Sequence, residues 1–158
     1  MAIAILVLGL LLFLGAHSVS IVKPGLRGQF IGQFGQNAWQ GAFGLVALSG
    51  FLLILWGYGL ARQDPIILYT PPTWLRHINL LLMLGVFPLL LATYFPGRIQ
   101  SAVGHPTLLA VKLWAFGHLL ANGALADLLL FGGFLAWAIA DRLSLRYRTA
   151  LPVQGAPP

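Results

Sequence analysis

The stretch that decides the fold covers residues 107–140 and reads TLLAVKLWAFGHLLANGALADLLLFGGFLAWAIA. As one helix, its roughly 34 residues would extend about 51 Å, whereas the hydrocarbon core of a bilayer is about 30 Å thick. The stretch therefore has to fold back on itself. Asn122 and Gly123 are the best place for the turn, because both tolerate the left-handed conformation that ends a helix. We predict two membrane spans, 107–121 and 124–141.

The rest of the chain has the same apolar character. Of its 158 residues, 59% are apolar and 8% are charged, whereas soluble domains contain about 45–50% and about 25%. Nine Lys and Arg with three Asp and Glu cannot cover the surface of a soluble domain, so lipid must be the main solvent. A soluble enzyme and a disordered chain are excluded. The lack of cysteine excludes disulfides, zinc fingers and iron–sulfur clusters.

Three further apolar stretches predict spans at 1–22, 39–60 and 77–94, the last kinked at Pro88. The expected fold is an all-α integral membrane bundle of about five transmembrane helices over residues 1–148. A cleaved signal peptide is the alternative for 1–22, but no Lys or Arg precedes the apolar run.

The remaining segments are predicted to be irregular. The polar, glycine-rich segment 22–37 is expected to be a loop or a surface segment rather than a span, and the segment from Pro96 to Pro106 to be a loop. Residues 149–158 are expected to be a disordered tail. Within the last span, one face carries small residues at a spacing typical of close helix packing: Gly132, Ala136 and Ala140.

Basic residues predict the orientation of the spans. With the N-terminus outside, Arg62 and Arg76 fall in outer loops, while six basic residues fall on the cytoplasmic side: Lys23, Arg27, Arg98, Arg142, Arg146 and Arg148. This asymmetry predicts an N-terminus outside and a C-terminus in the cytoplasm. The net charge of +6 therefore predicts attraction to anionic membrane lipid, not to nucleic acid.

Ionisable side chains inside the spans cost at least about 2.5 kcal/mol each on insertion scales. Lys112 and Asp127 face each other in the predicted hairpin, within reach of a lysine stem, so we expect them to pair. A structural salt bridge is the favoured role, with a proton relay or a substrate contact as the alternative. Asn122 is a further buried polar candidate.

Three histidines are candidate ligands: His17, His105 and His118. His105 and His118 would be about 20 Å apart on one helix, so they cannot bind the same metal. Without thiolates, a pair of imidazoles from different helices is the expected cofactor site, and b-type haem suits an apolar helical bundle. Zinc is a weaker alternative, because it usually needs three or four ligands. For each histidine, a structural role is the other interpretation.

Five motifs, in order, resemble the NnrU family of bacterial membrane proteins over nearly the whole chain. They are LGAHS at 14–18, WGYGLAR at 56–62, PPTWLRH at 71–77, YFPGRI at 94–99, and His105-Pro106 followed by VKLWAFGHLLANGALAD at 111–127. The family is named for a link to nitrite and nitric oxide reduction. It is similar to 15-cis-zeta-carotene isomerase, a haem b membrane protein.

The resemblance implies haem b bound by His17 and His118, and a redox-responsive isomerase or accessory factor acting on a lipid-soluble substrate in nitrogen-oxide or carotenoid metabolism. The predicted spans place these two histidines about 12–14 Å apart in depth, so His17 with His105 is the alternative pair. A cofactor-free structural or assembly subunit is the alternative function. The His105-Pro106 turn also resembles an Arg-His-Pro motif of membrane methyltransferases, with Gly104 in place of the arginine.

Overall fold

The computed structural model describes residues 1–95 and 97–147. Every secondary-structure element within these residues is an α-helix, which confirms the predicted all-α class. The helices are α1 (Ala2–His17), α2 (Val19–Val22), α3 (Leu26–Phe34), α4 (Gln36–Ala61), α5 (Trp74–Tyr94), α6 (Arg98–Val103), α7 (Pro106–Ala121) and α8 (Leu125–Ser144). Pro96, Arg148 and the predicted tail 149–158 lie outside the described residues. The chain forms two compact units, Met1–Ile66 and a second that begins at Ile67.

The five predicted spans correspond to α1, α4, α5, α7 and α8. With 26 and 21 residues, α4 and α5 are long and apolar enough to cross a membrane. The apolar helices α1 and α7 have 16 residues each, or about 24 Å of rise. Pro88 lies inside α5, and the kink there stays a prediction. One bundle over 1–148 also stays a prediction.

The first span is shorter than the predicted 1–22. The helix α1 ends at His17, and the chain continues into the four residues of α2 after Ser18. The Ser18 hydroxyl donates a hydrogen bond to the Leu14 carbonyl oxygen at 2.6 Å. Serine side chains that bond to the preceding turn in this way compete with regular helical bonding and often bend a helix.

Segment 22–37 contains the short helix α3, which has no buried residues and so agrees with the predicted surface segment rather than with a loop. The predicted loop at 96–106 was wrong in part, because α6 lies within it. In α3, Leu26, Phe30 and Phe34 repeat every four residues and share one face. The Phe30 ring lies 4.9 Å from that of Phe34 and 5.6 Å from that of Trp39 on α4. These ring contacts stabilise a helix whose glycines alone predict a loop.

In the first unit, α1 and α4 pack antiparallel with their backbones in direct contact. A Cβ atom added at Gly9 would lie 2.6 Å from the Ile54 nitrogen, and one at Gly50 would lie 2.6 Å from the Phe13 nitrogen. One at Gly57 would collide with the Leu6 backbone. Close approach at small residues is the main source of helix association in lipid, where hydrophobic burial gives little.

In the second unit, α7 packs against both α5 and α8. Its core contains Val86 and Leu89 of α5 with Ala110 of α7. The turn between α7 and α8 occupies residues 122–124, as predicted. Its Gly123 carbonyl oxygen accepts hydrogen bonds from the backbone nitrogens of Leu68 and Tyr69, at 2.8 and 3.1 Å. Segment 67–69, which precedes α5, is thereby held against this turn.

The predicted left-handed conformation at this turn was wrong. Asn122 is extended, with φ −131° and ψ 137°, and positive φ within residues 1–95 and 97–147 occurs only at Gly35 and Gly104. Glycine is needed at position 123 for a different reason. A Cβ atom there would overlap the carbonyl oxygen of Tyr69, so the close approach of segment 67–69 excludes a side chain.

The small-residue face predicted on the last span does not form a helix contact within the described residues. Ala136 and Ala140 are exposed, and a Cβ atom at Gly132 would meet only Leu128 of the same helix, at 4.0 Å. The close helix contact lies instead between α1 and α4. Sequence spacing alone did not distinguish the two, because glycine and alanine are frequent in both regions.

Candidate functional site

A pocket of about 280 Å³ lies within the first unit, where α1 ends, α3 begins and α4 begins. We call it the His17 pocket. It is lined by Ala16, His17, Val19, Ser20, Arg27, Trp39 and Phe43. It forms because α1 ends at His17 and the chain returns through α2 and α3 to the first turns of α4. An imidazole, a guanidinium and two aromatic rings therefore surround one cavity.

The tautomer of His17 is fixed by its own helix. Its Nδ1 lies 2.7 Å from the carbonyl oxygen of Phe13, and because a carbonyl oxygen can only accept, Nδ1 carries the proton. The lone pair of the ring is then on Nε2. A backbone carbonyl that accepts from the second ring nitrogen is the usual partner of a metal-ligating histidine, because it orients the ring and raises its basicity.

His17 belongs to a continuous series of ring contacts, which we call the aromatic chain. Neighbouring ring centroids are 4.4–6.2 Å apart, within the range of favourable aromatic pairs. In order, the rings are Phe34, Phe30, Trp39, Phe43, His17, Phe13 and Phe51. The aromatic chain holds α3 against α4 and gives the His17 pocket flat apolar walls.

His118 lies in the second unit, in the last turn of α7, within a different aromatic cluster. Its ring stacks on Phe131 of α8 at a centroid distance of 4.5 Å and an interplanar angle of 7°. Trp114 contacts both rings edge-on, at 5.8 Å from His118 and 5.0 Å from Phe131. One face of the imidazole is therefore covered by a neighbouring helix.

Asn122 determines the hydrogen bonding of His118. Its amide nitrogen donates to the His118 carbonyl oxygen at 2.9 Å and lies 3.4 Å from His118 Nδ1. With a donor facing it, Nδ1 acts as the acceptor and the ring proton resides on Nε2. This tautomer is the opposite of that of His17, so the two predicted ligands differ in their readiness to bind a metal through Nε2.

The buried carboxylate Asp127 has a structural partner. Its Oδ2 accepts a hydrogen bond from the Ala124 backbone nitrogen at 3.0 Å, and the residue is 8% exposed. Asp127 occupies the first turn of α8, where a negative charge is favoured by the helix dipole. Its place in an apolar helix is thus explained by capping, while Lys112 is half-buried and its pairing with Asp127 stays a prediction.

Tyr69, in the segment before α5, contacts the end of α7. It was not among the candidate residues selected from the sequence. Its hydroxyl donates to the Leu119 carbonyl oxygen at 2.5 Å. Burial raises the pKa of this hydroxyl, and the negative charge of Asp127 raises that pKa further. Tyr69 therefore stays protonated as a donor. The only sequence signal was its position next to Pro71 and Pro72, in an exposed loop.

The predicted histidines fall in different parts of the chain. His17 is in the first unit, and His105 and His118 are at the two ends of α7 in the second. As predicted, His105 and His118 do not share a site. No group of three metal-ligating side chains occurs within residues 1–95 and 97–147, so the zinc alternative finds no ligand set there. Trp39 and Phe43 were not predicted as pocket residues, since the sequence placed both within the predicted span 39–60.

The residues present in the His17 pocket fit one side of a haem. In this tautomer the lone pair of His17 is on Nε2, the nitrogen that would bind the iron, and Trp39 and Phe43 offer apolar ring faces. Small-molecule pockets begin at about 300 Å³, so a ligand as large as haem would extend beyond this cavity. For His118, the stack on Phe131 and the contact with Asn122 fit an axial ligand less well.

A family model described as NnrU protein matches residues 5–157, which is nearly the whole chain. No curated protein and no solved structure is significantly similar to it.

Proposed function

The chain belongs to the NnrU family, and from this premise we propose that it is a multi-pass membrane protein that binds haem b in the His17 pocket. The observation that supports this proposal is the hydrogen bond from His17 Nδ1 to the Phe13 carbonyl oxygen. It presents the imidazole in the form that ligates iron. His118 and His105 are the candidates for the second axial position, with His118 favoured by the family resemblance.

Each residue of the His17 pocket has a defined task in this proposal. His17 would provide a nitrogen ligand to the iron, and the Phe13 carbonyl oxygen keeps its ring oriented. Trp39 and Phe43 would pack against the apolar faces of the macrocycle. When bound, haem b supplies an iron whose ligation responds to redox state. The proposed role is a redox-responsive isomerase or accessory factor for a lipid-soluble substrate, in nitrogen-oxide or carotenoid metabolism.

The proposed location is a bacterial inner membrane, with the N-terminus outside and the C-terminus in the cytoplasm. Two helices, α4 and α5, have the length and composition to cross a membrane, and the basic residues favour this orientation. The exposed side chains of α4 and α5 are largely apolar, among them Leu45, Leu52, Leu80 and Leu84. Membrane lipid is the solvent that such surfaces require.

Replacement of the proposed axial ligand tests the haem assignment. Protein purified from haem-replete cells is expected to show a Soret band, and His17→Ala is expected to lose most of it, because Phe13 then holds no imidazole. His77→Ala is the matched control, since His77 is an exposed histidine in the first turn of α5. Its spectrum should equal that of the wild type. A Soret band that is unchanged in His17→Ala would remove His17 as a ligand.

A second candidate is a cofactor-free assembly or structural subunit. The environment of His118 favours it, because stacking on Phe131 and hydrogen bonding with Asn122 are sufficient to explain that histidine. The two candidates differ in a simple measurement. A folded wild-type protein without colour, isolated from haem-replete cells, would favour the cofactor-free subunit.

A further inference from the structure

Arg27 is the one charged residue of the His17 pocket, and the described protein leaves its guanidinium unpaired. It lies half-buried in the first turn of α3, beside His17 and Trp39 in the pocket wall. Within residues 1–95 and 97–147, no hydrogen bond, ion pair or ring contact reaches the guanidinium group. A guanidinium in a pocket wall, with no anion beside it in the described protein, is available to bind an anion from outside.

The unit that contains Arg27 has no acidic side chain near the pocket. Asp64 is the only Asp or Glu among residues 1–66, and it follows the far end of α4. From Trp39 to Ala61, α4 rises about 33 Å. Arg62, at that far end, differs from Arg27 because its guanidinium lies over the Tyr58 ring at 5.9 Å. The anion for Arg27 must therefore come from outside this unit.

We infer that Arg27 binds the acidic group of an amphiphilic ligand, a carboxylate or a phosphate joined to an apolar body that lies against Trp39 and Phe43. The planar guanidinium can donate two parallel hydrogen bonds to either group. The aromatic walls suit the apolar body. The inference rests on the proposed function in one respect: if haem b occupies the pocket, the acidic group is a haem propionate. An anionic phospholipid headgroup presents the same chemistry.

The test compares two ligands that differ only in their acidic groups. Full-length protein in nanodiscs of neutral phosphatidylcholine is titrated with haem b and with its dimethyl ester, and binding is followed at the Soret band. Wild type is expected to bind the diacid at least about tenfold more tightly than the ester. Arg27→Gln is expected to bind both equally. The matched control Arg62→Gln removes a charge outside the pocket and should keep the wild-type preference.

A further variant keeps the test decisive if Arg27→Gln folds poorly. Arg27→Lys retains the charge but loses the two parallel hydrogen bonds of the guanidinium. It should still bind the diacid more tightly than the ester, but by a smaller factor than wild type. If wild type binds the diacid and the ester equally well, Arg27 does not bind an acidic group of haem. The inference for haem is then overturned, while the proposed function stands.

If wild type binds neither form of haem, the proposed function is overturned. An experiment with lipid then tests the inference about Arg27. Protein is reconstituted with a mixture of phosphatidylglycerol and phosphatidylcholine, and the retained lipid is identified by native mass spectrometry. Selective retention of phosphatidylglycerol by wild type and Arg62→Gln, but not by Arg27→Gln, would support Arg27 as the site of a lipid phosphate. Equal retention by all three would overturn the inference.

Discussion

At the scale of single residues, the two histidines favoured as ligands have opposite hydrogen-bonding arrangements. His17 donates from Nδ1 to a carbonyl of its own helix, whereas Nδ1 of His118 faces the amide nitrogen of Asn122. Neither arrangement is visible in the motifs that carry the family resemblance, because both depend on rotamers. The sequence singled out both histidines as candidate ligands, and the structure adds that their Nδ1 atoms have different hydrogen-bond partners.

Gly123 provides a prediction at the same scale. A methyl group at this position would overlap the Tyr69 carbonyl oxygen, and backbone atoms on both sides cannot move without breaking the bonds from Leu68 and Tyr69 to Gly123. We expect Gly123→Ala to lower the free energy of unfolding by about 2 kcal/mol or more, from the clash and the weakened hydrogen bonds. Denaturant unfolding in detergent, followed by circular dichroism, measures the change.

Gly132→Ala is the control for this prediction. The nearest side chain to its added methyl group would be Leu128 at 4.0 Å, an ordinary contact, and alanine is the better helix former by about 1 kcal/mol. This variant should be as stable as the wild type or slightly more stable. A Gly123→Ala protein as stable as Gly132→Ala would show that segment 67–69 is not held against the turn.

At the scale of helices, the close approach of α1 and α4 yields a second prediction. A methyl group at Gly50 would lie 2.6 Å from the Phe13 nitrogen, so Gly50→Ala must push the two backbones apart. We expect a loss of about 1–3 kcal/mol in the free energy of unfolding, as for other overpacked sites. Gly59→Ala on the same helix, with no atom within 4 Å of the new Cβ, should cause no loss. Equal midpoints of SDS-induced unfolding would contradict the contact.

The lengths of the apolar stretches predicted the positions of most helices correctly, but they predicted the contacts between helices poorly. The spans at 39–60 and 77–94 differ from α4 and α5 by at most three residues at either end, because a run of apolar residues bounded by Pro and Arg leaves little choice. By contrast, α3 depends on ring contacts between Phe30 and Trp39, which join residues on separate helices. Such contacts arise from tertiary packing, and a local pattern does not contain them.

The residues of the His17 pocket were likewise predicted only in part. His17 was selected from the sequence because an imidazole in an apolar span requires an explanation. Arg27 was assigned only to membrane orientation, and Phe43 was not considered. The proximity of Arg27 and Phe43 to His17 depends on the end of α1 at His17 and on the return of the chain through α3. The predicted span at 1–22 and the predicted loop or surface segment at 22–37 did not specify these features.

At the scale of the whole molecule, orientation in the membrane can be tested because the chain has no cysteine. Gln63→Cys lies between α4 and α5, in a segment proposed to be outside, and Ser101→Cys lies in α6, in a segment proposed to be cytoplasmic; both positions are exposed. A membrane-impermeant maleimide should label Gln63→Cys in intact spheroplasts and label Ser101→Cys only after lysis. The reverse pattern would invert the proposed topology, and labelling of both in intact cells would exclude it.

The glycine contact between α1 and α4 also acts on the pocket from a distance. Gly9 lies eight residues before His17, or about 12 Å along the helix, and it sets how far α1 can slide past α4. A slip of one helical turn, about 5.4 Å, would change the position of the imidazole relative to Phe43 and Trp39 of α4. The glycine contacts therefore fix the register of the two helices, and with it the shape of a cavity whose lining contains none of these glycines.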